Sequence, residues 1–253
     1  MISDKLKIRI SPFVGRVIEN DAQAFGFIKA DNTSNKNALL NRVISQMLKF
    51  RQEKREQAAK VLTTIDKSNV DSFLRMTNKL YDDVYYSEEE LSDLSDEIWI
   101  RPSKETVNDF EEIARNELIS FGCDVSVYIR GMLNEYSRMS QYKRQNIVFR
   151  EELLKMRHAI ESGTVMSFRY DGAYCKVYAY DYSYGYLPDQ SNYLIAYDIE
   201  REVIRAFELS KLDCPKNFYK KFKPSVRLRD KLRDFVDTYD FNDAYSIPFK
   251  EAL

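Results

Sequence analysis

The chain has 253 residues, 44% of them hydrophobic and 31% charged, with a formal net charge of −1. That length allows one large domain or two to three small ones, and the apolar fraction is enough to build a core, which excludes a wholly disordered chain. No apolar run approaches the roughly 20 residues of a membrane-spanning helix, Met1-Ile2-Ser3-Asp4-Lys5 lacks the apolar stretch of a secretory signal, and Cys123, Cys175 and Cys214 have neither metal-ligand spacing nor a disulfide framework, so the expectation is a cytoplasmic protein with ordinary buried thiols.

Lys5-Leu6-Lys7-Ile8-Arg9-Ile10 alternates strictly, which predicts a strand with one apolar and one cationic face. Ser11-Pro12 supplies an N-cap and a proline at the first helical position. Val14, Val17, Ile18 and Phe25 form the apolar stripe of the helix that follows, and Gly26 ends it. Asn35 caps a second helix with Leu40, Val43, Ile44 and Met47 on one face. Residues 1–60 carry a charge balance of +6, against −9 for residues 61–120, so the near-neutral total hides a basic end beside an acidic waist.

The same order of elements returns near residue 97. Glu97-Ile98-Trp99-Ile100-Arg101 is a short alternating strand, Ser103 caps a helix bearing Val107, Phe110, Ala114, Leu118 and Phe121, and Gly122 closes it. Asp124 caps the next helix, whose Ile129, Met132, Leu133 and Tyr136 match Leu40, Val43, Ile44 and Met47 at a constant offset of 89, while Ile8-Arg9 matches Ile100-Arg101 at an offset of 92. An internal strand-helix-helix duplication follows, with copies at 5–50 and 97–140 inside a module spanning 1–150. Between the copies, Val70, Phe73, Leu74, Thr77, Leu80 and Tyr81 predict a bracing helix, and Ser87-Glu88-Glu89-Glu90 predicts a capping box. Glu151 to Ser162 reads as a further helix stopped by Gly163.

From Thr164 the period changes to two. Strands are predicted at Thr164–Tyr170, Lys176–Asp181, Asn192–Asp198 and Val203–Leu209, with turns at Asp171-Gly172 and around Pro188. Short strands on short loops, holding half of the chain's 18 tyrosines, predict a small β-barrel over 151–213. From Cys214 to Leu253 the sequence reads as a separate helical and basic C-terminal element, a candidate contact for a homodimer. The fold class expected is therefore α+β.

The duplicated strand-helix-helix order resembles the ribbon-helix-helix module, in which two copies pair their strands antiparallel and interlock their helices. The run Ala159-Ile160-Glu161-Ser162-Gly163, then Val165-Met166-Ser167-Phe168-Arg169-Tyr170, then Tyr193-Leu194-Ile195-Ala196-Tyr197, then Ile204-Arg205-Ala206-Phe207, resembles the WYL-domain family, with Asn192 standing where the family's name-giving tripeptide has tryptophan. That resemblance implies an Sm-like (SH3-like) barrel that binds nucleic acid or nucleotide-like ligands through basic residues. The two modules in one chain of this size resemble the WYL accessory proteins of RNA-targeting CRISPR loci. The implied function is then a non-enzymatic protein that binds single-stranded RNA and modulates an RNA-guided CRISPR effector nuclease. The alternative is a WYL-type transcription regulator that binds DNA through the ribbon module and senses a ligand on the barrel.

Candidate binding residues follow from chemistry. On the barrel they are Arg169, Tyr170, Tyr193, Tyr197, Arg201, Arg205 and Lys211, because a guanidinium forks onto phosphate and also stacks on bases, and tyrosine stacks on any base. On the ribbon they are Lys5, Lys7 and Arg9, facing Glu97, Trp99 and Arg101 on the second strand, an asymmetry that disfavours reading of a two-fold duplex site. In the C-terminal element they are Lys220, Lys221 and Lys223, among eight cations from Lys216 to Arg233 interleaved with Phe218, Tyr219 and Phe222. The lone His158 has no partner motif, and no glycine-rich phosphate loop or nucleophile elbow is present. The sequence therefore predicts no enzymatic activity, no cofactor and no metal.

Overall fold

A computed structural model describes residues 5–65, 94–104, 106–112, 125–184, 191–238 and 247–248. The predicted helix over Val70–Tyr81, the capping box at Ser87, the segment from Ala114 to Asp124 and the turn at Pro188 lie outside the described residues. The chain divides into two compact units, Met1–Met139 and Ser140–Leu253.

The first unit is built on a two-stranded ribbon. Strand β1 (Leu6–Ile10) pairs antiparallel with β2 (Asp96–Ile100), placing Lys7 opposite Trp99, Ile8 opposite Ile98 and Arg9 opposite Glu97. Two such strands are marginal by themselves and need an apolar face to cover. Here Ile8, Ile10 and Ile100 are completely buried. Helix α1 (Pro12–Ala24) starts where Ser11 Oγ accepts the Val14 N–H at 3.4 Å, and α2 (Lys36–Ile65) starts where Asn35 Oδ1 accepts from Ala38 N–H at 3.2 Å. Ser103 Oγ accepts the Thr106 N–H at 3.2 Å ahead of α3 (Val107–Glu112), and α4 is Val125–Arg138. Leu40, Val43, Ile44 and Met47 of α2, and Ile129, Met132, Leu133 and Tyr136 of α4, are all buried.

The two strand-helix-helix segments grip each other reciprocally. Asn41 Nδ2 on α2 donates to the Arg101 carbonyl beyond β2 at 2.9 Å, and Arg130 Nε on α4 donates to the Arg9 carbonyl of β1 at 2.8 Å. Asn41 and Arg130 are offset by 89 residues, and Arg9 and Arg101 by 92, the same offsets that relate the apolar stripes. Two buried polar links add to this. Arg51 of α2 donates through Nε and Nη2 to Glu135 Oε2 of α4 at 2.9 and 2.8 Å, with both side chains about 4% exposed. Tyr136 O–H donates to Asp21 of α1 at 2.7 Å.

The second unit opens with α5 (Gln141–Val148) and α6 (Arg150–Ser162), the latter ended by Gly163 in the left-handed region at φ 62°. Then come β3 (Thr164–Tyr170), β4 (Ala173–Tyr184), β5 (Asn192–Asp198), β6 (Val203–Glu208), a 3-10 turn at Leu209–Lys211, β7 (Asp213–Lys221), α7 (Val226–Thr238) and the two-residue β8 (Ile247–Pro248). Asp171 and Gly172 turn β3 into β4 with φ of 50° and 78°, the geometry a two-residue hairpin loop requires. The strands form one antiparallel sheet in the order β7-β3-β4-β5-β6-β8.

This sheet is not the closed barrel expected from the sequence. It is an open sheet, curled on itself. In a flat sheet β3 and β6 would stand three strand spacings, about 14 Å, apart. Here Phe168 of β3 lies 5.0 Å, and Tyr170 of β3 5.1 Å, from Phe207 of β6, ring centre to ring centre. Side chains close the gap in place of a ladder, helped by Glu208 N–H, which donates to Tyr170 Oη at 3.3 Å. The segment from Cys214, expected to be helical, is strand through Lys221: it completes the sheet against β3, and the helix begins only at Val226. Pro215 is tolerated there because β7 is an edge strand.

The sheet's two faces are covered differently. Met166, Phe168, Cys175, Val177, Leu194, Ala196 and Phe207 fill the concave side. On the convex side, Leu228, Leu232 and Phe235 of α7 pack against Tyr193, Ile195, Tyr197, Ile204 and Ala206. Cys175 is buried as expected, whereas Cys214 is exposed, in a residue with φ 50° at the strained start of β7. Among the described residues no helix is long and apolar enough to cross a membrane.

Candidate nucleic-acid interface

The ribbon's outward face carries the predicted cations already engaged. Lys7 Nζ is 2.7 Å and Arg9 Nε 3.7 Å from Glu97 Oε1. Glu97 is solvent-exposed, and the hydrogen bond from Lys7 holds its carboxyl below the usual glutamate range. Trp99 is 48% exposed, with the Lys5 ammonium 4.2 Å from its ring centre. The face thus offers an aromatic plane flanked by ammonium groups at one end and a partly neutralised cluster at the other. Alternation alone dictates this: every second residue of each strand points outward, and the register Lys7–Trp99 and Arg9–Glu97 makes the two strands unlike.

In the second unit the predicted residues separate. Arg201 and Arg205 converge on Asp198, which is 0% exposed: Arg201 Nη1 lies 2.8 Å and Arg205 Nη1 3.6 Å from its Oδ2. Asp198 Oδ1 also accepts the N–H groups of Glu200 and Arg201, at 3.2 Å each, fixing the β5–β6 turn. The Arg205 guanidinium sits 4.6 Å from the Phe207 ring centre and 5.7 Å from that of Tyr170. Arg201 Nη1 is 3.6 Å and Arg205 Nη1 4.0 Å from Cys175 Sγ, whose pKa is raised by burial and by Asp198. Two guanidiniums share one carboxylate, so the cluster keeps a single positive charge and a half-open arginine plane. Tyr170 is itself buried, and burial raises its pKa. Lys211 pairs with Glu208 at 3.0 Å.

The remaining predicted positions fall elsewhere. Tyr193 and Tyr197 are core, not stacking surface: they lie on the convex face beneath α7, 5% and 9% exposed. Arg169 is exposed on that same convex face, away from α7, opposite Tyr174 on one side and Asp213 on the other. Lys220 and Lys221 are exposed at the end of β7 and Lys223 just beyond it. The sheet therefore gathers Tyr170, Arg201 and Arg205 into one group and leaves outside it Arg169, beside Asp213 at the start of β7, and Lys220 and Lys221 at the far end of that strand.

Two buried residues outside the predicted binding set organise this unit. Asp198 ends the signature strand, and only burial distinguishes it from a surface turn aspartate. Asn192, at the tryptophan position of the resembled family, is completely buried and saturated. Its Nδ2 donates to the Tyr142 carbonyl and to Gln145 Oε1, both at 2.8 Å, and its backbone N–H donates to Gln145 Oε1 at 2.6 Å. Its Oδ1 accepts from Tyr182 O–H at 3.0 Å. The Tyr182 hydroxyl also lies against Asn146 Oδ1. Asn192 is a clamp between β5 and α5, and no surface is left on it for a ligand.

No protein-family model matches the chain, and no curated protein matches it. Among solved structures, one titled "Crystal structure of a CRISPR Cas-related protein" is similar, with a TM-score of 0.62 at 13% sequence identity. The likeness covers 91% of this chain and 66% of that one, so the chain spans just under two thirds of its length. At that identity the likeness is one of fold.

Proposed function

We propose that this protein is a non-enzymatic accessory protein that binds single-stranded RNA and modulates an RNA-guided CRISPR nuclease. The observation that carries the reading is the inequality of the ribbon's strands. A two-fold duplex site needs the same residues presented twice, whereas here Glu97 faces Arg9 and Trp99 faces Lys7. An exposed indole flanked by Lys5 and Lys7 suits an unstacked base and its phosphates. The internal pairing of two strand-helix-helix segments fits a ribbon-helix-helix-like pseudo-dimer. The likeness to a solved CRISPR Cas-related protein supports the assignment to that setting. A homodimer through the C-terminal region belongs to the same reading and is tested by light scattering.

The test is competition. A fluorescent unstructured RNA is bound to the full chain and challenged with unlabelled RNA of unrelated sequence or with duplex DNA. The reading expects displacement by any single-stranded RNA and weak displacement by duplex; selective displacement by one duplex sequence rejects it. The second reading, a ligand-sensing transcription regulator, draws on the antiparallel ribbon itself, and protection of the protein's own promoter in a footprint would favour it.

A further inference from the structure

The cations expected to bind are mostly engaged: Lys7 and Arg9 with Glu97, Arg201 and Arg205 with Asp198, Lys211 with Glu208. Another set is not. Arg169, Lys176, Lys216, Lys220 and Lys221 make no ion pair among the described residues. Arg169, Lys176 and Lys216 share the part of the convex face that α7 leaves bare, Lys220 sits in the outward bow of β7, and Lys221 lies opposite Thr164 at the end of that strand. The register lines Lys216 of β7, Ser167 of β3 and Lys176 of β4 across one rung, and Asp213, Arg169 and Tyr174 across another. Asp213 is the one carboxylate on those rungs.

Exposed aromatics concentrate there too. The large aromatic side chains left prominently exposed among the described residues are Phe13, Trp99, Tyr174, Phe218 and Tyr219, and three of the five belong to this face or its edge. Tyr174 is 50%, Phe218 40% and Tyr219 103% exposed. A bulge produces this. Between the pairs Met166–Asn217 and Thr164–Lys221, β3 has one residue where β7 has three, so Phe218, Tyr219 and Lys220 bow outward. Phe218 turns onto the convex face, where Lys176 Nζ is 6.0 Å from its ring centre.

Bare aromatics alternating with unpaired cations suit a polyanion whose flat groups are free to stack, and a duplex buries those groups. An added strand is a poor fit, because lysines and a bulge are what blunt a sheet edge against pairing. We infer that the β7-β3-β4 face is a stacking platform for single-stranded RNA, with Tyr174, Phe218 and Tyr219 taking bases and Arg169, Lys176 and Lys216 taking phosphates. This rests on the RNA-binding reading above and adds a second surface to it, separate from the ribbon.

The test uses the full chain and a labelled oligouridine, with deoxy-oligothymidine as a parallel arm. Tyr174→Ala/Tyr219→Ala is expected to weaken RNA binding about tenfold or more while leaving the salt dependence of binding unchanged, since stacking is lost and charge is kept. Tyr174→Phe/Tyr219→Phe keeps the affinity. Lys176→Gln/Lys216→Gln flattens the slope of log affinity against log salt by about two phosphate contacts. All sites lie on the surface, and an unshifted thermal melt confirms folding. If the parent protein binds oligouridine and the alanine pair binds it equally well, the platform is wrong and the RNA-binding reading stands. If the parent binds no RNA, both fall. Tighter binding of oligothymidine overturns the RNA assignment. Loss of a dimer in light scattering, with RNA affinity intact, overturns the platform in favour of a second copy of the chain.

Discussion

Asp198 shows how one buried side chain sets the character of a cluster. Its carboxylate balances two guanidiniums and closes a turn, and it has no access to water of its own. Removing it leaves Arg201 and Arg205 facing each other. Because Arg201 is 43% and Arg205 24% exposed, water relieves part of the cost. Asp198→Ala is therefore expected to destabilise the protein by about 2–3 kcal/mol, less than the loss of one partner from a fully buried pair, read from urea unfolding. A loss below the error of the measurement would mean the turn does not need it. Glu97 is the opposite case, exposed and electrostatic. Its pKa is depressed, so its pairing with Lys7 is present at neutral pH and is lost as pH falls through that lowered value. Lys7→Ala should return the Glu97 titration midpoint, followed by NMR, to the ordinary glutamate range. Glu97→Gln frees Lys7 and Arg9 and should tighten RNA binding several-fold at low salt, with the gain vanishing at high salt; unaltered affinity would place the RNA off the ribbon.

At the scale of elements, the link between α2 and α4 is most exposed to test. Arg51 and Glu135 form an ion pair that is almost fully buried, and such pairs cost most when half is removed. Arg51→Met strands the Glu135 carboxylate and should cost about 3–5 kcal/mol, while Arg51→Met with Glu135→Leu should recover most of it. Additive losses in this double-mutant cycle would mean the two side chains act independently. The same scale shows what the sequence made legible. β3 and β5 were readable to the residue because alternation and turn residues bracket them: Gly163 and the Asp171-Gly172 pair around β3, and Asp198 at the end of β5. The N-caps at Ser11, Asn35 and Ser103 were readable because a cap is a local bond. β7 was not, since Asp213-Cys214-Pro215-Lys216-Asn217-Phe218-Tyr219-Lys220-Lys221 has no clean period. Its bulge breaks the alternation, and only pairing with β3, far back in the chain, makes it a strand.

Over the whole molecule, composition and period marked out a helical module over 1–150, a β module over 151–213 and a C-terminal element from Cys214, but partnership between side chains was beyond them. Tyr193 and Tyr197 carried the same stacking chemistry as Tyr174 and Tyr219; what separates them is α7, which buries the first pair and leaves the second bare. Arg201 and Arg205 were visible as cations, and the carboxylate that half-neutralises them was not. The proposed function therefore draws less on Arg201 and Arg205, which share Asp198, than on exposed aromatic side chains with cations beside them: Trp99 with Lys5 and Lys7 on the ribbon, and the β7-β3-β4 face of the sheet. Surfaces of that kind bind by releasing counterions, with little regard for base identity. The most direct measurement is the salt dependence of the affinity for unstructured RNAs of different sequence, followed by anisotropy. The account predicts parallel straight lines of log affinity against log salt for all of them. Salt-independent binding, or a line for one sequence alone, would contradict it.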